Sequence, residues 1–232
     1  MSRIPLLLLP GLLCDSWLWH AQIDALSDIA EPIVADLTMD DSISAMAERT
    51  LLNAPEQFAL AGLSMGGYVA FEILRQAPER VTRLALLDTN ATPDDPARSA
   101  QRRAGIKSLK YGRFTGVTTR LLPQLIHASK IGTPIGDDVR AMTDRVGGGA
   151  FVRQQESIFA RVDSRPLLPF ISVPTLIGVG DSDVLTPLAD SVMMHEGIVG
   201  SVLHVFKECG HLPSLELPDE TSETLRRWLR RR

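Results

Sequence analysis

One serine in this 232-residue chain lies between two glycines, in the segment GLSMG at 62–66. The G-x-S-x-G spacing is typical of a sharp turn at which a strand ends and a helix begins, leaving the serine hydroxyl exposed as a nucleophile. The apolar run 57–63 precedes Ser64 and a helical pattern over 65–77 follows it, which is the setting that this chemistry requires. We therefore predict that Ser64 is a nucleophile, with a purely structural turn as the alternative.

A serine hydroxyl is a weak nucleophile without a general base, and the chain has five histidines. His211 differs from the others because it follows the last apolar run, in the loop segment KECGHLPSLELP. The carboxyl ends of parallel strands meet at one edge of a sheet, which is the edge where Ser64 would also lie. We predict that His211 is the general base.

A carboxylate has to orient the imidazole and stabilise its charged form, and three aspartates follow strand-like segments. Asp181 and Asp183 lie in GVGDSDVLTP, after the fifth apolar run, and Asp88 ends the fourth. All three lie between Ser64 and His211, as the chain order serine, acid, histidine requires. We favour Asp183, while Asp181 and Asp88 stay open as alternatives. The aspartates that are not used are expected to be turn formers.

Acyl transfer also needs backbone donors that stabilise the developing oxyanion. The N–H of Met65, the residue after the nucleophile, is predicted to be one donor. The N–H of Leu12 is predicted to be the other, because Leu12 follows Gly11 in the loop PGLLCDSW after the first apolar run. For Leu12 an ordinary loop is the alternative.

The elements that must position these residues alternate along the chain. Continuous apolar runs of this length are typical of strands buried on both faces of a parallel sheet. The predicted strands are 4–9, 32–36, 57–63, 82–88, 173–179 and 201–206. The predicted helices are 18–28, 42–54 with Asp41 or Ser42 as cap, 65–77, 188–197 and 219–231. This order predicts an α/β fold with helices on both faces of the sheet.

The alternation breaks between the fourth and fifth predicted strands. Residues 91–165 contain only helical and loop patterns, so we predict a helical insertion there and a core domain formed by 1–90 and 166–232. An insertion above the carboxyl ends of the strands would cover a site in that crevice. Apolar side chains are expected to bind substrate beneath it, namely Leu13, Trp17, Phe114, Leu122 and Phe151.

Charge and composition exclude several classes of partner. The net charge of −4 argues against nucleic acid, which requires a dominant positive field. The two cysteines indicate neither a disulfide framework nor a zinc site, and no apolar stretch is long enough for a membrane span. We expect a cytoplasmic protein with no metal ion.

One segment of the insertion is strongly basic. Seven arginines and lysines and no acidic residue fall between 98 and 120, namely Arg98, Arg102, Arg103, Lys107, Lys110, Arg113 and Arg120. A solvated helix face is the simplest explanation. The alternative hypothesis is a local field that attracts an anionic substrate or an acidic carrier protein.

Four segments in this order, LLLLPGLLCDSW, GLSMGG, GDSDVLTP and CGHLPSLELP, resemble the α/β-hydrolase fold family. The resemblance implies that 91–165 is a helical cap and that Asp183, placed between Gly180 and Pro187, is the acid. Only three residues precede Ile4, so we expect about six parallel strands, although relatives usually have two more. Many relatives also have His-Gly where this chain has Pro10-Gly11.

The chain is most similar to small cap-bearing carboxylesterases, including the pimeloyl-carrier-protein methyl esterase type, and to enol-lactonases. The resemblance implies cleavage of a small ester through an acyl-enzyme on Ser64, with no cofactor. Enol-lactone or carbon–carbon bond hydrolysis by the same three residues is the first alternative. A relative that binds a small ligand without catalysis is the second.

Overall fold

The computed structural model describes residues 3–111 and 114–231, with the side chains of all of these except 108–111. Six strands form one sheet in the order β2-β1-β3-β4-β5-β6, and every neighbouring pair is parallel. The strands are β1 Ile4–Leu9, β2 Ala30–Val34, β3 Phe58–Leu63, β4 Val81–Leu87, β5 Thr175–Gly180 and β6 Val202–Phe206. The predicted α/β fold with six parallel strands is confirmed.

Helices cover both faces of this sheet. They are α1 His20–Leu26, α2 Ile43–Asn53, α3 Met65–Gln76, α4 Pro96–Tyr111, α5 Pro134–Phe159, α6 Leu188–Gly197, α7 Pro213–Glu216 and α8 Pro218–Leu229. Alternate residues of β1 point to opposite faces, so Leu7 and Leu9 pack with α2 and α3, whereas Leu6 and Leu8 pack with α1 and α8. The central strands are buried on both faces, which explains their continuous apolar sequences.

Two predicted elements differ from the observed ones. Strand β2 covers Ala30–Val34 rather than 32–36, because its pairing with β1 begins at Ala30 opposite Ile4. It is an edge strand, where a proline such as Pro32 is tolerated. The helix predicted over 18–28 is a 3-10 turn, Ser16–Trp19, followed by the short helix α1.

The N-terminus of α2 is capped by a side chain. Ser42 Oγ accepts a hydrogen bond from the N–H of Ala45 at 3.2 Å, which satisfies one of the free amides of the first turn. Of the two predicted caps, Asp41 and Ser42, the serine is therefore the one that the structure shows.

Between β4 and β5, the described residues contain helices and 3-10 turns and no strand. Helix α5 is kinked at Gly147, whose φ of 76° and ψ of 170° are non-helical and suit a residue without a side chain. A bilayer-spanning helix is absent from 3–111 and 114–231, because no helix there combines enough length with an apolar enough sequence.

Candidate active site

The strand–helix turn between β3 and α3 holds Ser64 in a strained conformation. Its φ of 55° and ψ of −116° lie where residues other than glycine are rare. The Ser64 N–H donates to the carbonyl of Leu87 at 3.0 Å, and the Thr89 hydroxyl donates to the Ser64 carbonyl at 2.8 Å. The end of β4 thus holds the backbone on both sides of the strained residue.

Glycine is required on both sides of this turn because other backbone segments approach closely. A Cβ atom at Gly62 would collide with the carbonyl of Gly66, and one at Gly66 would collide with the carbonyl of Leu9. The two glycines of the G-x-S-x-G segment therefore permit the close contact of β1, β3 and α3. This geometry explains the spacing seen in the sequence.

Asp183 and His211 form a buried pair after β5 and β6. His211 Nδ1 lies 2.8 Å from Asp183 Oδ2, which also accepts a hydrogen bond from the Thr186 hydroxyl at 2.6 Å. Asp183 Oδ1 accepts from the N–H groups of Leu185 and Thr186, at 2.8 and 3.2 Å. Burial raises the pKa of Asp183, but the His211 imidazole and these donors hold it below its usual value.

His211 and Ser64 line the same cavity of about 530 Å³, which we call the Ser64 cavity. The N–H of His211 donates to the carbonyl of Leu125 at 3.0 Å, which fixes the backbone of its loop. In the structure, which describes both side chains, Ser64 Oγ and His211 are not hydrogen-bonded. Such contacts are often long in a free enzyme and tighten when substrate binds.

Glu216, at the end of α7, anchors the histidine loop. Its buried carboxylate accepts hydrogen bonds from the N–H of Gly210 at 3.0 and 3.1 Å, of Leu212 at 3.1 Å and of His127 at 2.6 Å. Glu216 was not among the residues predicted from the sequence. The available signal was a single charged residue, a glutamate, within the mostly apolar segment LPSLELP.

The other two aspartates have different environments. Asp181 accepts hydrogen bonds from the Cys209 N–H at 3.4 Å and the Ser182 hydroxyl at 3.1 Å, and it faces Lys207. Asp88 is fully buried, and its Oδ1 accepts the N–H of Gly180 at 2.9 Å. Contrary to the expectation of a turn former, Asp88 lies against the pair: one side-chain atom each of Asp88, Asp183 and His211 lie within 4.8 Å of one another.

The two predicted oxyanion donors belong to the loop after β1 and to the start of α3. Leu12 lines the Ser64 cavity, and Met65 is the first residue of α3. Within the described part of the chain, neither the Leu12 N–H nor the Met65 N–H has a hydrogen-bond acceptor. The Leu12 N–H is thus free to donate to a ligand in the cavity, whereas Met65 is fully buried and is not among the residues that line it. The neighbouring Leu13 N–H is occupied, because it donates to Gln154 Oε1 at 3.0 Å.

The predicted substrate-binding side chains are only partly in the Ser64 cavity. Leu13 and Phe151 line it, whereas Trp17, Phe114 and Leu122 do not. Trp17 is 43% exposed and stacks on His20, with ring centroids 4.2 Å apart. Phe114 packs against Phe151 from outside the cavity, at 5.8 Å between centroids, and Leu122 is buried in the core.

Two arginines of α4 give the cavity wall positive charge. Arg98 and Arg102 line the Ser64 cavity, and no aspartate or glutamate does so among the described residues. The buried carboxylate of Asp94 pairs with both Arg102 and Arg161, and Arg102 also donates to Gln155 at 2.8 Å. Of the predicted basic run, the Lys110 side chain and Arg113 lie outside the described residues.

Both cysteines are free and buried. Cys14 lines the Ser64 cavity, where burial raises the pKa of its thiol to about 12. Burial also raises the pKa of Cys209. Thiols with raised pKa values are poor nucleophiles at neutral pH, which leaves the Ser64 hydroxyl as the better candidate.

Sequence comparisons connect the chain with a known family. A family model described as alpha/beta hydrolase fold matches residues 34–218. The chain is 26% identical over 233 residues to the pimeloyl-[acyl-carrier protein] methyl ester esterase of Nitrosomonas europaea, covering 93% of this chain and 91% of that protein. The enzyme of the same name from Aeromonas hydrophila is 25% identical over 239 residues, with coverages of 95% and 93%.

Solved structures give a matching picture. A thermophilic esterase from Thermogutta terrifontis, solved with malate bound, superposes with a TM-score of 0.89 at 30% identity, covering 99% of this chain and 90% of that one. The enol-lactonase of Burkholderia xenovorans superposes with a TM-score of 0.83 at 21% identity, with coverages of 100% and 93%. At the lower identity the likeness concerns the fold alone.

Proposed function

Since the chain belongs to the α/β-hydrolase fold family, we propose that it hydrolyses carboxylic esters through an acyl-enzyme on Ser64. One observation carries this proposal: the buried Asp183–His211 pair, at 2.8 Å, opens onto the same cavity as the strained Ser64. The ester hydrolases among the relatives support it.

The reaction has two steps of acyl transfer. Ser64 Oγ attacks the ester carbonyl carbon while His211 Nε2 takes the hydroxyl proton, and Asp183 stabilises the imidazolium that forms. His211 then protonates the leaving alkoxide as the carbon–oxygen bond breaks. Water attacks the acyl-enzyme in the same manner, and the product acid leaves with Ser64 restored.

The N–H groups of Leu12 and Met65 stabilise the tetrahedral oxyanion in this scheme. Both are without an acceptor in the described structure, so substrate binding displaces no protein hydrogen bond. Preorganised donors of this kind contribute about 3–4 kcal/mol each to lowering the barrier, as judged from their removal in other enzymes.

The helical segment 91–165 is proposed to act as a cap on a core formed by 1–90 and 166–232. Arg98, Arg102, Phe151 and Gln155 of this segment all line the Ser64 cavity. The cap therefore supplies the wall that faces the nucleophile. Its side chains therefore take part in selecting the substrate, together with core residues such as Leu13.

The cap wall favours an ester that carries a negative charge away from the reacting carbonyl. Asp94 neutralises only one of the two arginines that contact it, Arg102 and Arg161, and Arg98 adds a further positive charge. An anionic group on the substrate would complete the pairing in a site of low dielectric. The relatives named as acting on an acyl-carrier-protein ester make an acidic carrier a second source of this charge.

A fluorophosphonate probe, which phosphonylates activated serines, tests the proposed nucleophile. We expect labelling of the wild-type protein at Ser64, located by peptide mass, and no labelling of Ser64→Ala. A folded wild-type protein that stays unlabelled contradicts the proposal and favours a relative that binds a small ligand. Turnover of a panel of p-nitrophenyl esters, enol-lactones and carbon–carbon bond substrates then separates ester hydrolysis from its alternatives.

A further inference from the structure

The carboxyl group of Asp88 is buried and only half satisfied. Asp88 follows the last residue of β4, with a φ of 42° and its N–H bonded to the carbonyl of Gly178 at 2.9 Å. Its Oδ1 accepts the N–H of Gly180 at 2.9 Å. Its Oδ2 is buried and has no hydrogen-bond partner in the described structure. A buried, charged carboxylate oxygen that accepts no hydrogen bond is strongly disfavoured.

The groups around Asp88 make ionisation still less favourable. Asp183 approaches from the loop after β5, His211 and Cys209 from the loop after β6, and Glu216 from α7. Among the described residues, no lysine or arginine pairs with Asp88. Burial, followed by the charge of Asp183, raises the pKa of Asp88 well above its usual value.

Of the two neighbouring carboxyl groups, Asp183 is the one equipped to carry the charge. Its oxygens accept four hydrogen bonds, from the N–H groups of Leu185 and Thr186, the Thr186 hydroxyl and His211 Nδ1. Asp88 accepts a single one. Two carboxylates at such close range do not both ionise at neutral pH, so the proton belongs to Asp88.

We propose that Asp88 is a neutral carboxylic acid whose Oδ2 hydroxyl donates a hydrogen bond to the Asp183 carboxylate, which makes it a positioning residue for the Asp183–His211 pair. Protonated Oδ2 of Asp88 becomes a hydrogen-bond donor, and Oδ1 remains the acceptor for the Gly180 N–H. This arrangement fixes the orientation of Asp183 and adds no second negative charge beside His211. The inference rests on the proposed roles of Asp183 and His211.

The pH dependence of kcat/KM tests the charge of Asp88. Asp88→Asn keeps an acceptor for Gly180 and a donor for Asp183, so we expect the acidic midpoint to stay within about 0.3 units of wild type. Asp181→Asn, which changes an exposed acid in the loop of Asp183, is the matched control and is expected to behave alike. If Asp88 is instead ionised, Asp88→Asn lowers the midpoint by about one unit or more, which overturns the proposal.

Asp88→Ala tests the donor. It removes the hydrogen bond to Asp183, so the imidazolium is stabilised more strongly and the acidic midpoint is expected to rise by about half a unit or more. We expect kcat to fall, because Asp183 is no longer held in the orientation that aligns His211. Asp88→Asn is expected to restore most of the lost kcat. An Asp88→Ala profile that superposes on the wild type contradicts the positioning role.

An infrared difference spectrum gives a measurement that does not depend on turnover. Wild type minus Asp88→Asn at pH 7 is expected to show the carbonyl band of a protonated carboxyl group, and its absence overturns the proposal. The same band is expected in a Ser64→Ala background. Failure of the proposed function, seen as absence of fluorophosphonate labelling, is thus distinguishable from failure of this inference.

Discussion

The N–H of Gly210 lies 3.0 and 3.1 Å from the two carboxylate oxygens of Glu216. The same carboxylate accepts the N–H of Leu212, so both chain neighbours of His211 are tied to one buried side chain. The third donor, the His127 N–H, comes from the helical segment. Glu216 therefore joins the histidine loop to the helical segment between β4 and β5.

Glu216→Gln should disturb the position of His211. The amide NH₂ would face backbone N–H groups, and each buried donor left without an acceptor costs about 1–3 kcal/mol. We expect kcat/KM to fall by about tenfold or more and the midpoint of thermal unfolding to drop. Glu223→Gln, on the exposed face of α8, is the control and should change neither quantity. Wild-type kinetics for Glu216→Gln would contradict the anchoring role.

Arg98→Gln should alter the preference between charged and neutral substrates. We expect the ratio of kcat/KM for a half-ester of a dicarboxylic acid to that for a neutral ester of equal length to fall by about tenfold. Lys107→Gln removes an exposed charge from the same helix outside the cavity and should leave the ratio unchanged. Equal ratios in wild type and Arg98→Gln would rule out the anion-binding wall.

Asp94→Asn should destabilise the fold in a pH-dependent manner. Burial raises the pKa of Asp94, but Arg102 and Arg161 hold it below its usual value. Ionised Asp94 therefore contributes stability above its unfolded-state pKa, and this contribution is lost as the pH falls through the lower folded-state pKa. At pH 7 the variant should lose about 3 kcal/mol of unfolding free energy, because buried Arg161 and partly buried Arg102 share the partner that is removed.

Urea denaturation between pH 7 and 2 checks this prediction. The difference in unfolding free energy between wild type and Asp94→Asn should become smaller below about pH 4. Asp137→Asn removes an exposed ion pair with Arg140 and should cost less than about 1 kcal/mol at every pH. If the loss of unfolding free energy in Asp94→Asn does not change with pH, the charge of Asp94 is not its cause.

Gly66→Ala should disrupt the turn that carries Ser64. The added Cβ would overlap the carbonyl of Leu9, so β1 and α3 have to separate. We expect loss of fluorophosphonate labelling and a lower midpoint of thermal unfolding. Gly105→Ala is the control, since its Cβ would lie 3.7 Å from Phe151 and alanine favours a helix interior. An active, stable Gly66→Ala protein would refute the steric argument.

The strands were predictable because most of them are buried on both faces and so are continuously apolar. Strand β2 was displaced by two residues in the prediction, since the edge position allows Glu31 and Pro32 within it. The four-residue helix α7 was missed because one turn has no periodicity to detect. The helical character of 91–165 was visible, but its 3-10 turns were not.

The structure brings Ser64, Asp183 and His211 to one edge of the sheet, where the sequence order and flanking strands predicted them. The segment LPSLELP drew attention to no role for Glu216 beyond its being the single glutamate there. Its contact with His127 and the Asp94–Arg161 pair could not be predicted, because they join residues far apart in the chain. The directions in which the side chains of Trp17, Phe114 and Leu122 point depend on backbone outside regular helices and strands, which a sequence pattern does not predict. Hydrophobicity alone therefore gave no means to distinguish lining residues from core.

Gln154 links the helical segment to the loop after β1. Its Oε1 accepts the Leu13 N–H at 3.0 Å, and its Nε2 donates to the carbonyl of Leu37 at 3.1 Å, all within the buried interior. A bulky substrate that displaces α5 must either shift the adjoining Leu12 N–H or break this buried hydrogen bond. Breaking it costs about 1–3 kcal/mol. Binding of a bulky substrate and the direction of the Leu12 N–H are therefore mechanically coupled.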